Sequence, residues 1–243
     1  MGTRGAGARR AEPAPRGRAV RAGRDDPDGR DASGTGDGAA PRPAGRARVL
    51  DLRGGAGRAE LRFPPGDLLI VSGLPGSGKS TLIRRVVPPL DGRAGLVWCV
   101  DSQDSRERLE RRLPGRLPYG LYRPFARLAH YAALRRALRS GSSAVIHDCG
   151  ERGWVRRWLA RDARRRGRAV HLLLLDVAPG TALAGQAARG RRVSPRAFGR
   201  HRGAMARLVT EATAGRLPWG TASAVVLDRG AVDVLRRVGF EGE

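Results

Sequence analysis

The sequence predicts an α/β domain built on a parallel β-sheet with helices on both faces. Five short apolar runs have the length of buried strands, and the segments between them are predicted to be helical. Strands that alternate with helices in this way form parallel sheets whose two faces are covered. The chain of 243 residues is long enough for one such core.

The predicted elements alternate from residue 67 onwards, and each strand is mainly apolar. The strands are Asp67–Gly73, Leu96–Asp101, Ser143–Cys149, Ala169–Val177 and Ala222–Asp228. The helices are Lys79–Val87, Ser105–Leu113, Tyr122–Arg139, Trp154–Arg166, Thr181–Arg189 and Pro195–Ala212. Pro88 and Pro89 end the first helix, because proline cannot continue a helical hydrogen-bond pattern.

The first 47 residues are predicted to be a disordered tail, so that the folded domain occupies residues 48–243. The tail mixes Gly, Ala, Arg, Pro and Asp without periodicity, and Val20 is its only Val, Leu or Ile. Such a composition buries too little apolar surface to offset the entropy cost of folding.

Composition and charge limit the class of protein without identifying a partner. The formal net charge of +24 fits a protein that binds nucleic acid or a membrane surface, but it also fits codon bias in a GC-rich genome. We favour the bias, because arginine is abundant and asparagine is absent, and nucleic acid is therefore a less favoured partner. No apolar run approaches the ~20 residues of a membrane helix, and the two cysteines suit neither a disulfide scaffold nor a zinc site. We expect a cytoplasmic protein with no membrane partner.

One segment matches a phosphate-binding pattern in full. Gly73–Ser80 (GLPGSGKS) follows a predicted buried strand, opens a predicted helix and fits G-x-x-x-x-G-K-[ST], the P-loop motif. Its glycines let backbone N–H groups converge on phosphate oxygens, and the helix adds the positive end of its dipole. We predict that Lys79 reaches the β- and γ-phosphates and that Ser80 binds Mg²⁺. The residues predicted to hold the nucleotide are Gly73, Pro75, Gly76, Ser77, Gly78, Lys79, Ser80 and Thr81.

Lys79 is also the only lysine in a chain with 47 lysine and arginine residues. A lysine that persists where arginine is otherwise universal indicates a site that needs a compact ammonium rather than a planar guanidinium. We therefore predict a functional role for Lys79.

Carboxylates at the ends of two predicted strands are candidates for metal binding and catalysis. Asp148 ends the third strand, where a carboxylate holds Mg²⁺ in P-loop proteins; a helix cap is the alternative role, and Glu151 is an alternative carboxylate. Asp101, and as a second choice Asp104, follow the second strand, where ligands bind in open parallel sheets. Either is predicted to act as general base toward an incoming hydroxyl, or else to cap the next helix.

Arginines near these carboxylates are candidates for anion contacts. Arg106 or Arg108 is in a position to clamp an anionic group of the second substrate. Arg189 and Arg192 follow the fourth strand, and we predict a lid there that closes over the γ-phosphate. The alternative for the lid segment is a basic surface turn.

The segment Leu117–Leu138 lies between the second and third strands and holds all three tyrosines. We give equal weight to an acceptor pocket, with aromatic stacking and a contact from Arg123, and to a helical hairpin whose aromatic side chains are core.

The order of these parts resembles the small P-loop kinases, a group of AAA-family ATP-binding proteins that includes gluconate and shikimate kinases, chloramphenicol phosphotransferase, zeta toxins and polynucleotide 5′-kinase. The resemblance covers about Leu68–Arg229 and is carried by Gly73–Ser80, Val100–Arg106, Asp148, Leu172–Val177 and Arg189–Val193. It implies a three-layer α/β/α fold, a five-stranded sheet in the order 2-3-1-4-5, and a nucleotide base near the loop after Asp228. Val100–Ser102 is similar to the segment that carries the general base in chloramphenicol phosphotransferase. Arg106 lies near the acceptor-phosphate arginine of polynucleotide kinases, although the D-x-x-R spacing differs.

We therefore expect an ATP- and Mg²⁺-dependent phosphotransferase that acts on a small-molecule or nucleotide acceptor. Ordinary GTPases are excluded, because the chain has no N-K-x-D or T-K-x-D motif. Transporter-type ATPases are excluded by the absent L-S-G-G-Q signature and by Cys149, which replaces a glutamate after Asp148. The alternative is a nucleotide-gated binding or regulatory ATPase whose basic helix Trp154–Arg166 contacts an acidic partner.

Overall fold

The computed structural model describes residues 48–55, 57–88, 90–91, 95–111, 119–148, 152–190 and 193–241. These residues belong to one compact unit, Ala40–Glu243. The predicted tail, residues 1–47, lies outside the described residues, and so does the alternative carboxylate Glu151.

A six-stranded sheet forms the centre of the described part of the chain, and all its neighbouring strands are parallel. The strands in chain order are β1 (Arg48–Asp51), β2 (Glu60–Arg62), β3 (Leu68–Gly73), β4 (Leu90–Asp91), β5 (Gly95–Leu96), β6 (Trp98–Val100), β7 (Ala144–Asp148), β8 (Val170–Leu175), β9 (Ser223–Leu227) and β10 (Arg237–Gly239). The central sheet has the order β1-β9-β8-β3-β7-β6. Strands β2 and β10 form a small parallel pair, and β4 and β5 a small antiparallel pair.

The expected strand order is confirmed, but the expected number of strands was wrong. The five predicted strands correspond to β3, β6, β7, β8 and β9, which lie in the order 2-3-1-4-5. Strand β1 adds a sixth at the edge, beside β9. It gave no signal in the sequence because it has only two apolar residues, Val49 and Leu50, and no fully buried side chain. Its pairing with β9 is decided by the tertiary structure.

Helices cover both faces of the sheet and complete the three-layer α/β/α fold. They are α1 (Lys79–Val86), α2 (Ser102–Glu110), α3 (Tyr119–Ser140), α4 (Gly153–Arg165), α5 (Pro179–Ala187), α6 (Pro195–Thr213) and α7 (Arg229–Val234). Helix α2 begins three residues before the predicted Ser105, because the side chain of Asp101 accepts a hydrogen bond from the Gln103 amide and caps it. Helix α7 was not predicted.

Alternate side chains of each strand point to opposite faces, so that the sheet separates two apolar cores. On one face, Ile70 and Leu172 pack with side chains from α3, α4 and α6, such as Leu159. On the other face, Leu69 and Leu173 pack with side chains from α1 and α7. The sheet is therefore buried on both faces, as its near-continuous apolar runs predict.

The parallel arrangement places the chemically interesting residues at one edge. The P-loop follows β3 at the centre of the sheet, Asp101 follows β6, and Asp148 ends β7. All are carboxyl ends of parallel strands, which is the edge where ligands bind in open α/β sheets.

The core should be sensitive to cavity formation. Leu172 is fully buried in the centre of the sheet, and we expect Leu172→Ala to lower the free energy of unfolding by about 2–5 kcal/mol. Leu183→Ala in α5 is the matched control, because that side chain is 48% exposed. Chemical denaturation of both variants measures the difference, and equal losses would contradict this description of the core.

Candidate active site

The P-loop adopts a backbone that only glycine accepts at two positions. Gly76 has φ +86° and Gly78 has φ +93°, both in the left-handed region. A Cβ on Gly76 would lie 2.1 Å from the carbonyl oxygen of Ala182 in α5. The loop is thus packed tightly against α5 and leads directly into the amino end of α1, where backbone N–H groups bind anions.

Lys79 is the first residue of α1 and is 3% exposed. Its ammonium donates hydrogen bonds to the carbonyl oxygens of Gly73 and Leu74, each at 2.7 Å, and lies 3.5 Å from the Ser77 hydroxyl. Three acceptors around one buried nitrogen suit a compact ammonium, which supports the inference drawn from this single lysine. The loop therefore holds the ammonium beside the place where a phosphate would bind.

Asp101 contacts the P-loop through Ser80. Its Oδ2 accepts a hydrogen bond from the Ser80 hydroxyl at 2.9 Å, and its Oδ1 accepts one from the Gln103 amide at 2.9 Å. Nδ1 of His147 lies 2.6 Å from the same Oδ1. Burial alone would raise the pKa of Asp101, but His147 and the hydrogen bonds from Gln103 and Ser80 outweigh burial and hold this pKa well below its usual range. The carboxylate is therefore ionised, and it serves as both helix cap and P-loop contact.

Asp148 has a different environment. Its Oδ2 accepts a hydrogen bond from Arg156 of α4 at 2.8 Å and lies 3.5 Å from the Ser72 hydroxyl. Ser80, which we predicted to share the metal with Asp148, donates its hydrogen bond to Asp101. A metal role for Asp148 stays a prediction.

The second-choice carboxylate and its neighbouring arginines are less well placed. Asp104 lies in the first turn of α2, where partial burial of its carboxyl group and the charge of Asp101 raise its pKa. Arg106 donates to Glu110 at 2.6 Å, so its guanidinium is engaged within the helix. Arg108 is exposed. An anion clamp from α2 stays a prediction.

The predicted lid touches the P-loop. Arg189 donates to the Thr81 hydroxyl of α1 at 2.9 Å. Gln186 is buried, donates to the carbonyl oxygen of Pro75 at 3.0 Å and accepts from the Val193 amide at 3.0 Å. Gln186 thus joins both sides of the lid to the phosphate loop. Residues 191–192, and with them the predicted Arg192, lie outside the described residues.

Aromatic side chains of α3 and α4 meet Arg152, the residue that precedes α4. The Tyr131 hydroxyl accepts from Arg152 at 2.7 Å, and the Tyr131 ring lies 5.4 Å from that of Trp154, which is 50% exposed. Burial lowers the pKa of His130, next to Tyr131. Residues 117–118 of the predicted acceptor segment and the side chain of Arg123 lie outside the described residues. From Tyr119 to Leu138 the segment belongs to the single helix α3 rather than to a hairpin, and Phe125 is 63% exposed rather than core. An acceptor pocket there stays a prediction.

Sequence reasoning assigned no role to His147 and Gln186. His147 is the only polar residue in the run Ala144–His147, which precedes Asp148. A polar residue in an otherwise apolar strand is the signal in the sequence that points to it. No comparable signal marks Gln186. Its partner Pro75 is distant in the chain, and its partner Val193 lies across a turn.

The donor set at this edge fits Mg²⁺. The Ser80 hydroxyl and the strand-end carboxylates of Asp101 and Asp148 offer hard oxygen ligands at this edge, and nucleotide-bound Mg²⁺ takes only one or two protein carboxylates. Among the described residues, no group of three or more His, Cys, Asp or Glu side chains is arranged to hold a metal.

No helix in the described ranges is long and apolar enough to cross a membrane.

Comparison with known proteins places the site in a family. The model of the AAA domain family matches residues 68–210, which include the P-loop, both aspartates and the lid. No curated protein sequence matches the chain.

Solved structures with similar folds are distant in sequence. A chain of the PezAT chromosomal toxin–antitoxin system of Streptococcus pneumoniae is 18% identical, with a TM-score of 0.40 over 57% of this chain and 56% of that one. A kinase candidate from Chloroflexus aurantiacus is 17% identical, with a TM-score of 0.44 over 68% and 88% of the two chains. An uncharacterised protein from Eubacterium ventriosum is 10% identical, with a TM-score of 0.29 over 69% and 92%. This chain thus spans little more than half of the PezAT chain.

The close approach of α5 to the P-loop makes a specific prediction. Gly76→Ala combines a collision with Ala182 and an unfavourable φ, and we expect at least tenfold weaker Mg-ATP binding, or a stability loss of about 1–3 kcal/mol. Gly180→Ala, also at α5, is the control, because a Cβ there meets nothing within 4 Å. Calorimetric titration with Mg-ATP and thermal melting measure both effects. A Gly76→Ala variant indistinguishable from the control would contradict the tight loop.

Proposed function

Since this chain belongs to the AAA domain family of P-loop, kinase-like proteins, we propose that it is a phosphotransferase that moves the γ-phosphoryl group of ATP to a hydroxyl of an acceptor. The hydrogen bond between Ser80 and Asp101 carries the proposal. It brings an ionised carboxylate to the P-loop serine, where a base and a phosphate must meet.

The P-loop residues bind and orient the triphosphate. Backbone N–H groups around Gly76 and Gly78 surround the phosphates, and the Lys79 ammonium exchanges its carbonyl partners for phosphate oxygens. Ser80 would hold a bound Mg²⁺, with Asp148 as the strand-end carboxylate, and the ion would supply positive charge that neutralises the phosphates.

We propose that Asp101 orients and deprotonates the acceptor hydroxyl. A carboxylate with a lowered pKa is a weak base. That suits phosphoryl transfer, because its loose transition state needs a well-placed hydroxyl more than early proton removal. The proton passes from the acceptor oxygen to Asp101 as the new P–O bond forms and ADP leaves.

The lid supplies positive charge and excludes water. Arg189 already touches the first turn of α1 through Thr81, so a small movement of the lid would bring its guanidinium to the γ-phosphate. Arg192 is its proposed partner. Charge neutralisation by such a lid lowers the barrier because charge moves between the phosphoryl oxygens and the leaving group.

One observation favours a second function, nucleotide-gated partner binding. A cavity of about 380 Å³ lies between α4 and α6. Its lining includes Arg156, Arg157, Arg207 and Trp219. A basic face of this kind would contact an acidic partner. Family membership favours the phosphotransferase, and the following experiment separates the two.

The direct test is ADP release from Mg-ATP, alone and with pools of small metabolites or oligonucleotides with free 5′-hydroxyls. Stimulation by one pool, and its loss in Lys79→Ala, is the expected result, because Lys79 binds the phosphates. A tightly bound ATP that no pool turns over would instead favour the nucleotide-gated binding protein.

The two aspartates should differ in their effects. We expect Asp101→Asn to lower kcat by about 100-fold or more, with ATP affinity within about threefold, since general bases contribute roughly 10²–10⁴ in rate. Asp148→Asn is the paired variant and should weaken the apparent Mg²⁺ affinity instead. Initial rates at varied ATP and Mg²⁺ measure this. If Asp101→Asn abolishes ATP binding, Asp101 belongs to the nucleotide site rather than to the base.

A further inference from the structure

We propose that His147 is a positioning residue, which holds Oδ1 of Asp101 and thereby leaves Oδ2 as the oxygen that works on the acceptor. This inference rests on the proposed phosphotransferase function and names the residue that orients its base.

The two oxygens of Asp101 are held unequally. Oδ1 has two partners that nucleotide binding does not require to move, the Gln103 amide at 2.9 Å and Nδ1 of His147 at 2.6 Å. Oδ2 has the Ser80 hydroxyl at 2.9 Å. If Ser80 turned toward a bound metal, Oδ2 would be released while Oδ1 would keep both contacts. The carboxylate then stays in place with one oxygen presented.

The position of His147 follows from the register of the sheet. Val100 of β6 lies opposite Ile146 of β7. The next residues of these parallel strands, Asp101 and His147, therefore emerge side by side at the carboxyl edge. His147 is also paired with Val71 of β3, so its backbone lies between two strands of the central sheet. Its side chain is 13% exposed and that of Asp101 is 15% exposed.

The chemistry of the imidazole determines which substitutions can replace it. We assign a proton to Nδ1, because an unprotonated ring nitrogen and a carboxylate oxygen 2.6 Å apart would repel each other. Both ring nitrogens are buried, and neither has the geometry of a hydrogen bond to a described residue. Nδ1 is the nitrogen that lies close to Asp101, 2.6 Å from Oδ1, so the contact that we propose to matter is the one made by Nδ1. An asparagine amide nitrogen can occupy nearly the same place as Nδ1, whereas a glutamine amide reaches the place of Nε2.

Kinetics with three substitutions separate positioning from general stability. We expect His147→Leu and His147→Gln to lower kcat by about 10- to 100-fold, with the KM for ATP within about twofold, and His147→Asn to recover most of kcat. The rate is measured as phosphoryl transfer to the stimulating acceptor, or as slow hydrolysis of ATP when water is the only acceptor. Full activity of His147→Leu, or an equal loss in all three variants, overturns the proposal.

A second measurement does not depend on turnover. The chain has four histidines, which makes their ring nitrogens assignable by long-range ¹H–¹⁵N spectra. We expect His147 to be protonated at Nδ1 and its signal to move in Asp101→Asn. His171 is the internal control: its Nε2 lies 2.9 Å from Asp67 and its Nδ1 lies 2.7 Å from the Ser223 hydroxyl, so it should show the opposite tautomer and stay unchanged.

The two measurements distinguish failure of the inference from failure of the proposed function. The positioning contact is overturned, independently of enzyme activity, if the His147 ring is protonated only at Nε2 or if its signal does not change in Asp101→Asn. A correct His147 signal with no turnover by the wild type would refute the phosphotransferase, and with it the catalytic part of this proposal.

Discussion

The hydrogen bond between the Ser80 hydroxyl and Asp101 is the contact on which the proposed chemistry depends. It joins the first turn of α1, where phosphate would bind, to the end of β6, where an acceptor would approach. Both partners are placed by backbone structure: Ser80 by the start of α1 after the P-loop, and Asp101 by its cap on α2. The remaining features of the site are arranged around this pair. Nδ1 of His147 lies 2.6 Å from the other carboxylate oxygen, and the lid reaches α1 one residue further on, at Thr81.

The parallel sheet makes this arrangement possible. Neighbouring parallel strands end at the same edge, so residues at or just after the ends of β3, β6 and β7 meet although the chain separates them. Register sets the finer detail. Because Val100 lies opposite Ile146, the next residues along the two strands, Asp101 and His147, lie side by side. A slip of one residue would turn His147 to the opposite face.

Arginine is so frequent in this chain that sequence alone cannot rank its members. The structure ranks some of them by their partners. Arg156 is paired with Asp148, Arg189 contacts Thr81, and Arg106 contacts Glu110 within its own helix. Exposed ion pairs of the last kind contribute little to stability, about 0–1 kcal/mol, whereas a largely buried arginine beside a strand-end carboxylate shapes the site. Lys79 needs no such ranking, because it is the only lysine in the sequence.

Local features of the sequence were sufficient to predict the P-loop, five of the strands and the carboxylates at the strand ends. Glycine spacing, apolar runs and breaks after strands are properties of short segments, and the resemblance to small P-loop kinases supplied the order 2-3-1-4-5. Four features depended on contacts between distant segments. They are the edge strand β1, the choice of Asp101 rather than Asp148 as the partner of Ser80, the anchor at His147 and the lid contact of Gln186. No window of sequence contains both partners of such a contact, because strand register and the packing of α5 on the P-loop bring them together only in the folded chain.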